Sequence, residues 1–262
     1  MVDSAVQLDG KSSWLGRREV EQGSGVYNEG IYNDGIYNFP INLEIANEWT
    51  LGFWVKPKPF KEFGTIFSVG EIDKKNTIII STTPVSSTAG VTSELRVLIK
   101  GEEGTIIKHY GWGGWFQTDT WTHTFLQWDG TDLTANHNAL VATTGVALAD
   151  ASGDMSDFPP RKVFYGTTAA GGLASFSGTI GHFGMWGSLL DPSEFGTVVS
   201  GGFGMDLTTS SGSYISQDSL QHYWKPGEDS GNIGKDFVAS GTTLDLDTEA
   251  GITPADIVTD GP

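Results

Sequence analysis

The sequence predicts an all-β protein, a two-sheet antiparallel sandwich with one short helix, and three observations carry that expectation. Short alternating or β-branched runs recur along all 262 residues, bounded by Gly, Asp and Ser at intervals of about 8–12 residues, the rhythm of a sandwich and not of βαβ units. Glycine is abundant at 36 residues and aromatics make up 11% of the chain, with nine Trp; this mixture suits strands joined by tight turns and is too rich in rings for a disordered chain. Only one segment carries strong helix punctuation.

In chain order, the strand-like runs are Ala5–Leu8, Trp49–Val55, Gly64–Gly70, Asn76–Thr82, Glu94–Gly101, Thr105–Tyr110, Trp121–Trp128, Asp132–His137, Ala139–Thr144, Lys162–Gly166 and Ser175–Gly187. Each is dominated by Val, Ile, Thr and aromatic residues, which fit a pleated, half-buried surface. The helix is expected near 192–199: Asp191 reads as its N-cap, Pro192 as its first residue, Glu194 as the back-bonding partner of a capping box and Gly201 as its stop. Residues 16–47 form an insertion loop that holds a threefold pentad, Gly25-Val-Tyr-Asn-Glu, Gly30-Ile-Tyr-Asn-Asp and Gly35-Ile-Tyr-Asn-Phe. A five-residue period matches neither strand nor helix, so the pentads read as turns laid over a sheet or onto a neighbour. Residues 206–262 carry ten acidic and two basic residues yet keep strand-like pieces, Gln221–Lys225 and Thr242–Asp247. They read as an acidic extension packed on a core of about 5–205, giving one domain over 1–262.

The net charge of −17 repels phosphate backbones and anionic headgroups, so neither nucleic acid nor a membrane is an expected partner. There is no cysteine, hence no disulfide framework and no thiolate metal site. The N-terminus, Met-Val-Asp-Ser-Ala-Val-Gln-Leu-Asp-Gly, lacks the basic and apolar regions of a secretory signal, and no run approaches 18 apolar residues.

The order of motifs resembles the laminin-G-like branch of the concanavalin A-like lectin and glucanase jelly rolls. The opening strand is matched by Ala5-Val-Gln-Leu-Asp-Gly10 through Trp14, and the next signature by Trp49-Thr-Leu-Gly-Phe-Trp54-Val-Lys-Pro57. Ile66-Phe-Ser-Val-Gly70, Trp121-Thr-His-Thr-Phe-Leu-Gln-Trp128-Asp-Gly130 and the block Gly178–Glu194 follow in the family's order. The tail pieces Trp224–Gly227, Gly234–Phe237 and Val258–Pro262 resemble, more loosely, the endings of such segments in tailed-phage structural proteins.

The same fold hosts retaining β-glucanases, whose active strand reads Glu-x-Asp-x-x-Glu and whose two carboxyls must converge to about 5 Å. Here Glu71-Ile-Asp73-Lys-Lys-Asn76 begins that pattern and ends on an amide, which cannot protonate a leaving group. No other catalytic set is present, so the expectation is a protein that is not an enzyme. Relatives often bind calcium; Asp129, Asp132 and Asn136 offer clustered oxygens for it, although Trp-Asp-Gly-Thr-Asp reads first as a tight turn. No other cofactor is expected. Glycan contact needs exposed aromatic faces beside polar side chains. Tyr110, Trp112, Trp115 and Phe116, interleaved with glycines, and Tyr27, Tyr32 and Tyr37 in the pentads are the candidates. Packing within a hairpin, a subunit interface and a sugar platform are the open readings of the first group.

Together these features predict a non-catalytic virion-surface protein of a tailed phage, a capsid decoration acting by protein–protein contact and glycan adhesion. Its expected partners are a major capsid protein or other virion subunits, further copies of itself and a cell-surface glycan. It would be extracellular without a signal peptide. The alternative is a soluble lectin-like module, with or without calcium.

Overall fold

The computed structural model describes residues 5–9, 14–18, 48–70, 77–88, 90–101, 106–139, 143–150, 162–165, 176–229, 231–238, 247–249, 257–259 and 261–262. Its strands are β1 (Ala5–Asp9), β2 (Trp14–Arg18), β3 (Trp49–Pro57), β4 (Gly64–Gly70), β5 (Thr77–Thr82), β6 (Thr92–Lys100), β7 (Ile106–Gln117) and β8 (Thr122–Trp128). They continue as β9 (Leu133–His137), β10 (Thr143–Thr144), β11 (Val146–Asp150), β12 (Lys162–Tyr165), β13 (Ser177–Trp186), β14 (Leu220–Trp224), β15 (Asp247–Glu249) and β16 (Ile257–Val258), with α1 (Pro192–Gly201) between β13 and β14. All pairings are antiparallel. Sheet I runs β10-β9-β8-β3-β13-β1-β16 with β14 also on β13; sheet II runs β11-β7-β6-β5-β4-β12-β2-β15. The fold is the two-sheet β-sandwich that the sequence predicts. No helix of the described residues is long and apolar enough to cross a membrane.

The main core lies between the sheets. Trp49, Leu51, Phe53 and Val55 of β3 point into it, with Ile180, Phe183 and Met185 of β13, and they meet Phe67, Val69, Ile78, Ile80, Leu95, Val97 and Ile99 of sheet II. Phe183 stacks on both Phe53 and Phe67, at centroid distances of 5.5 and 4.7 Å. Strict alternation ends there. Strands β3 and β13 are buried almost throughout because a second apolar layer covers the outer face of sheet I. Phe125 and Trp186 project from that face against Phe195 and Val198 of α1 and against Met205, Leu207, Tyr214 and Tyr223. Gly184 makes room for this layer: a Cβ there would lie 2.4 Å from the Trp186 ring and 3.0 Å from Leu207.

Helix α1 begins as its sequence dictates. The Asp191 side chain accepts from Ser193 N–H at 2.8 Å, and Glu194 Oε2 accepts from Asp191 N–H at 2.8 Å, completing the capping box. Glu194 is also buried and holds the chain beyond the helix. Its Oε1 accepts from Ile215 and Ser216 N–H, both at 2.9 Å, and its Oε2 from the Ser216 hydroxyl at 2.9 Å. Four donors offset the desolvation of one carboxylate.

The extension after 206 enters both sheets. Strand β14 pairs with the β13 half that β1 leaves free, β15 pairs with β2, and β16 with β1. Asp236 fastens the intervening turn: its carboxylate contacts His222 Nδ1 at 2.7 Å and accepts from Tyr223 and Val238 N–H at 3.0 and 3.1 Å.

Strand β7 departs from expectation. The aromatic, glycine-rich stretch after Tyr110 reads as a connection, yet the strand continues to Gln117. Between the pairs Leu95–Trp112 and Ser93–Phe116, β7 advances four residues while β6 advances two. Gly114, at φ +72°, takes the left-handed turn of this bulge, a conformation that side chains disfavour.

Candidate ligand-binding face

Sheet I offers little open surface on its outer side, since the α1 layer fills it. Sheet II is different. Across β4–β5–β6–β7 the register aligns Thr65, Ser81, Arg96 and Gly111 in one row, and Ser68, Ile79, Leu98 and His109 in the next. The neighbours of these residues along each strand (Phe67, Ile80, Val97 and Tyr110) face the core, so period-two alternation turns both rows outward. Ile79, Ser81, Arg96, Leu98 and His109 are half-exposed, whereas Thr65, Ser68 and Gly111, at the ends of the rows, are buried.

At one end of this face stands Phe63, just before β4. It is 49% exposed, the one exposed aromatic ring among the residues whose side chains are described. The Arg96 guanidinium carbon lies 5.9 Å from its ring centroid, within cation–π range. Glu94 Oε2 accepts from Arg96 Nε at 2.9 Å and from Nη2 at 2.6 Å. The Glu94 backbone is pinned on both sides: its N–H donates to Thr83 Oγ1 at 2.9 Å, and its carbonyl accepts from Thr83 N–H at 3.1 Å. A flat apolar ring therefore sits beside a fixed pair that presents acceptors and donors together. Burial depresses the His109 pKa and the Arg96 charge lowers it further, which leaves an uncharged imidazole on this face at neutral pH.

Tyr110, Trp112, Trp115 and Phe116 are brought together, but in the core. All four belong to the inter-sheet cluster and none exceeds 7% exposure. Tyr110 and Trp112 stack at 6.0 Å, and Trp115 Nε1 donates to Thr124 Oγ1 at 2.8 Å. Of the three open readings of these rings, the structure favours packing inside the sandwich over a sugar platform or subunit contact: Tyr110 and Trp112 face the core by strand alternation, and beyond the bulge at Gly113–Gly114 Trp115 and Phe116 both turn inward. Tyr27, Tyr32 and Tyr37, and the Glu71–Asn76 segment, lie outside the described residues.

Asp129, Asp132 and Asn136 do not converge. Asp129 Oδ1 accepts from Thr131 and Asp132 N–H at 2.8 and 2.7 Å, and these bonds, Asp132's first, hold its pKa below the usual range. With Gly130 at φ +90° this is the tight β8–β9 turn. Asn136 pairs with Phe125, three residues beyond the Trp128–Leu133 closing pair, about 10 Å along the strand. Among the described residues no three or more His, Asp or Glu side chains cluster as a metal site.

Two histidines mark the far end of sheet I. His123 packs edge-on to Trp54 at 4.8 Å, and His182 stacks on Phe203 at 4.5 Å. Tyr223 O–H donates to Met205 O at 2.8 Å, so the 2.9 Å contact between that oxygen and His182 Nδ1 is donated by the imidazole. Burial drives both histidine pKa values down to about 3, helped at His123 by His182 and at His182 by Lys225. Both rings are neutral and enclosed.

No family model matches the chain, and no curated protein matches its sequence. Solved structures do match its shape. A candidate carbohydrate-binding protein from Bacteroides ovatus superposes with a TM-score of 0.56 at 14% identity, over 98% of this chain. This chain spans 60% of that protein's length. The CBM40 domain of the Ruminococcus gnavus IT-sialidase, solved with α2,3-sialyllactose bound, superposes at 0.50 and 11% identity over 74% of this chain and 96% of the domain. At such identities the likeness is one of fold: the chain shares the two-sheet β-sandwich of these proteins.

Proposed function

We propose that the chain is a non-catalytic glycan-binding module, and that its ligand lies on the outer face of sheet II against Phe63, Glu94 and Arg96. The observation that carries this reading is the coincidence of an exposed aromatic ring, Phe63, with a paired acceptor and donor, Glu94 and Arg96. A pyranose needs that combination: an apolar C–H face to lay on a ring, and hydroxyls that both donate and accept. The carbohydrate-binding proteins that share the fold support it.

The test is a glycan array followed by titration calorimetry on the strongest binder. Phe63→Ala should weaken binding at least about tenfold, the loss expected of an anchoring ring, with an unchanged melting temperature. Affinity untouched by that substitution would move the site elsewhere. Turnover of any bound glycan, abolished by Glu71→Gln, would overturn the non-catalytic reading.

A virion-surface setting, with the module decorating a capsid or tail as a homo-oligomer, is the second reading. It draws on the tail resemblance. In the fold, the pieces of that resemblance meet: Trp224 bridges Asp236, and Gly227 lies against Ile257 beside Val258. Co-sedimentation with purified capsids tests this setting, and failure to bind any virion protein would remove it while leaving the glycan reading intact.

A further inference from the structure

We propose that this face selects uncharged saccharides and turns acidic ones away, with Glu94 as the residue that sets the choice; the inference rests on the glycan-binding reading above. An arginine on a sugar-binding face ordinarily invites a carboxylate, because its planar fork matches two oxygens. Here that attraction is already met. The side edge of the Arg96 fork, Nε and Nη2, is spent on a single Glu94 oxygen. The Glu94 side chain is also the more exposed partner, 42% against 25%, so an incoming acid meets the carboxylate before the guanidinium.

Among the side chains described next to Phe63, Glu94 and Arg96, charge is close to balanced. His109 is uncharged at neutral pH. Lys61 and Glu62, the two exposed residues before Phe63, cancel. Lys100 lies on the same face of β6, four residues from Arg96, about 13 Å along the strand. The whole chain, at −17, repels anions at low ionic strength. For a neutral pyranose none of this is a penalty. Hydroxyls donate to the free Glu94 Oε1 and accept from the remaining Arg96 N–H groups, while the ring stacks on Phe63.

The experiment is an array of neutral glycans printed beside their sialylated and uronic counterparts, probed with wild type, Glu94→Gln and Phe63→Ala. Wild type should prefer neutral members by about fivefold or more, the effect of one screened like-charge contact. Glu94→Gln keeps the shape and should close or reverse that gap, and raising the salt should narrow it for wild type. A wild-type preference for the acidic member of each pair, or a ratio unmoved by Glu94→Gln, would overturn the inference and leave the glycan reading standing. Absence of binding by wild type to every glycan would remove both.

Discussion

Acid should unfold this protein through two histidines. His123 and His182 are enclosed and neutral, with pKa values near 3, whereas in the unfolded chain each titrates near 6.5. Between those values the unfolded state binds more protons, so stability is complete above about pH 6.5 and falls as pH is lowered toward 3. At pH 4.5 each histidine has cost two pH units at about 1.4 kcal/mol per unit, roughly 5 kcal/mol for the pair. That is a large share of the ~5–15 kcal/mol that holds a domain together. Carboxylates with lowered pKa, Asp129, Asp191 and Asp229, lose their contribution only at lower pH. The assay is urea unfolding at pH 7.5, 6.5, 5.5 and 4.5, comparing wild type with His123→Phe, His182→Gln. The double variant starts less stable at pH 7.5 but should lose most of the slope. A shallower one remains from His109 and His137, whose pKa values burial also lowers. Equal slopes for the two proteins would refute the assignment, as would a wild type that loses under about 1 kcal/mol across the range.

Two further substitutions probe the scaffold. Glu194→Ala removes the capping acceptor of α1 and the anchor of Ile215 and Ser216 together, so thermal unfolding should report a loss of at least about 2 kcal/mol; a loss near zero would mean that the buried carboxylate is not the hub its four hydrogen bonds imply. Trp112→Ala should cost about 3–5 kcal/mol through the cavity it leaves in the core without altering the sedimentation coefficient of the folded protein. A change of oligomeric state without loss of stability would restore the interface reading of that ring.

Residue patterns foretold most of the scaffold. Ile78, Ile80, Val97 and Ile99 alternate as they must in a half-buried sheet, and Asp191-Pro192-x-Glu194 spelled out a helix start that the capping bonds realise. The misreadings share a cause, which is that chain neighbours reveal little about what lies across a sheet. Gly113 and Gly114 look like a loop, and only pairing with β6 makes them a bulge that sends Trp115 and Phe116 inward. The continuous apolar character of β3 and β13 shows that both faces are covered, but not that α1 and the tail cover one of them. Strand β2 went unseen because Trp14–Arg18 has no alternation of its own and is ordered by β12 and β15. Phe63, Glu94 and Arg96 were missed as a site for the same reason. Phe63 and Arg96 are 33 positions apart and meet through two hairpin registers, and nothing in Lys-Glu-Phe marks its ring as left uncovered.

The placement of β15 and β16 bears on how the protein is made. Residues 5 and 6 find their outer partners at 257 and 258, and residues 14–16 find theirs at 247–249. Few contacts could span more of the sequence, and folds built on such pairings close slowly because the loop entropy must be met before the strands reward it. On the ribosome, β1 and β2 emerge long before β15 and β16 and must wait for them. During that interval their edges are unpaired, which is the condition under which β-proteins associate wrongly. A chain cut before residue 247 would carry those bare edges permanently, so truncations from the C-terminus should be lost to aggregation even though they leave the inter-sheet core and the face at Phe63 intact in sequence.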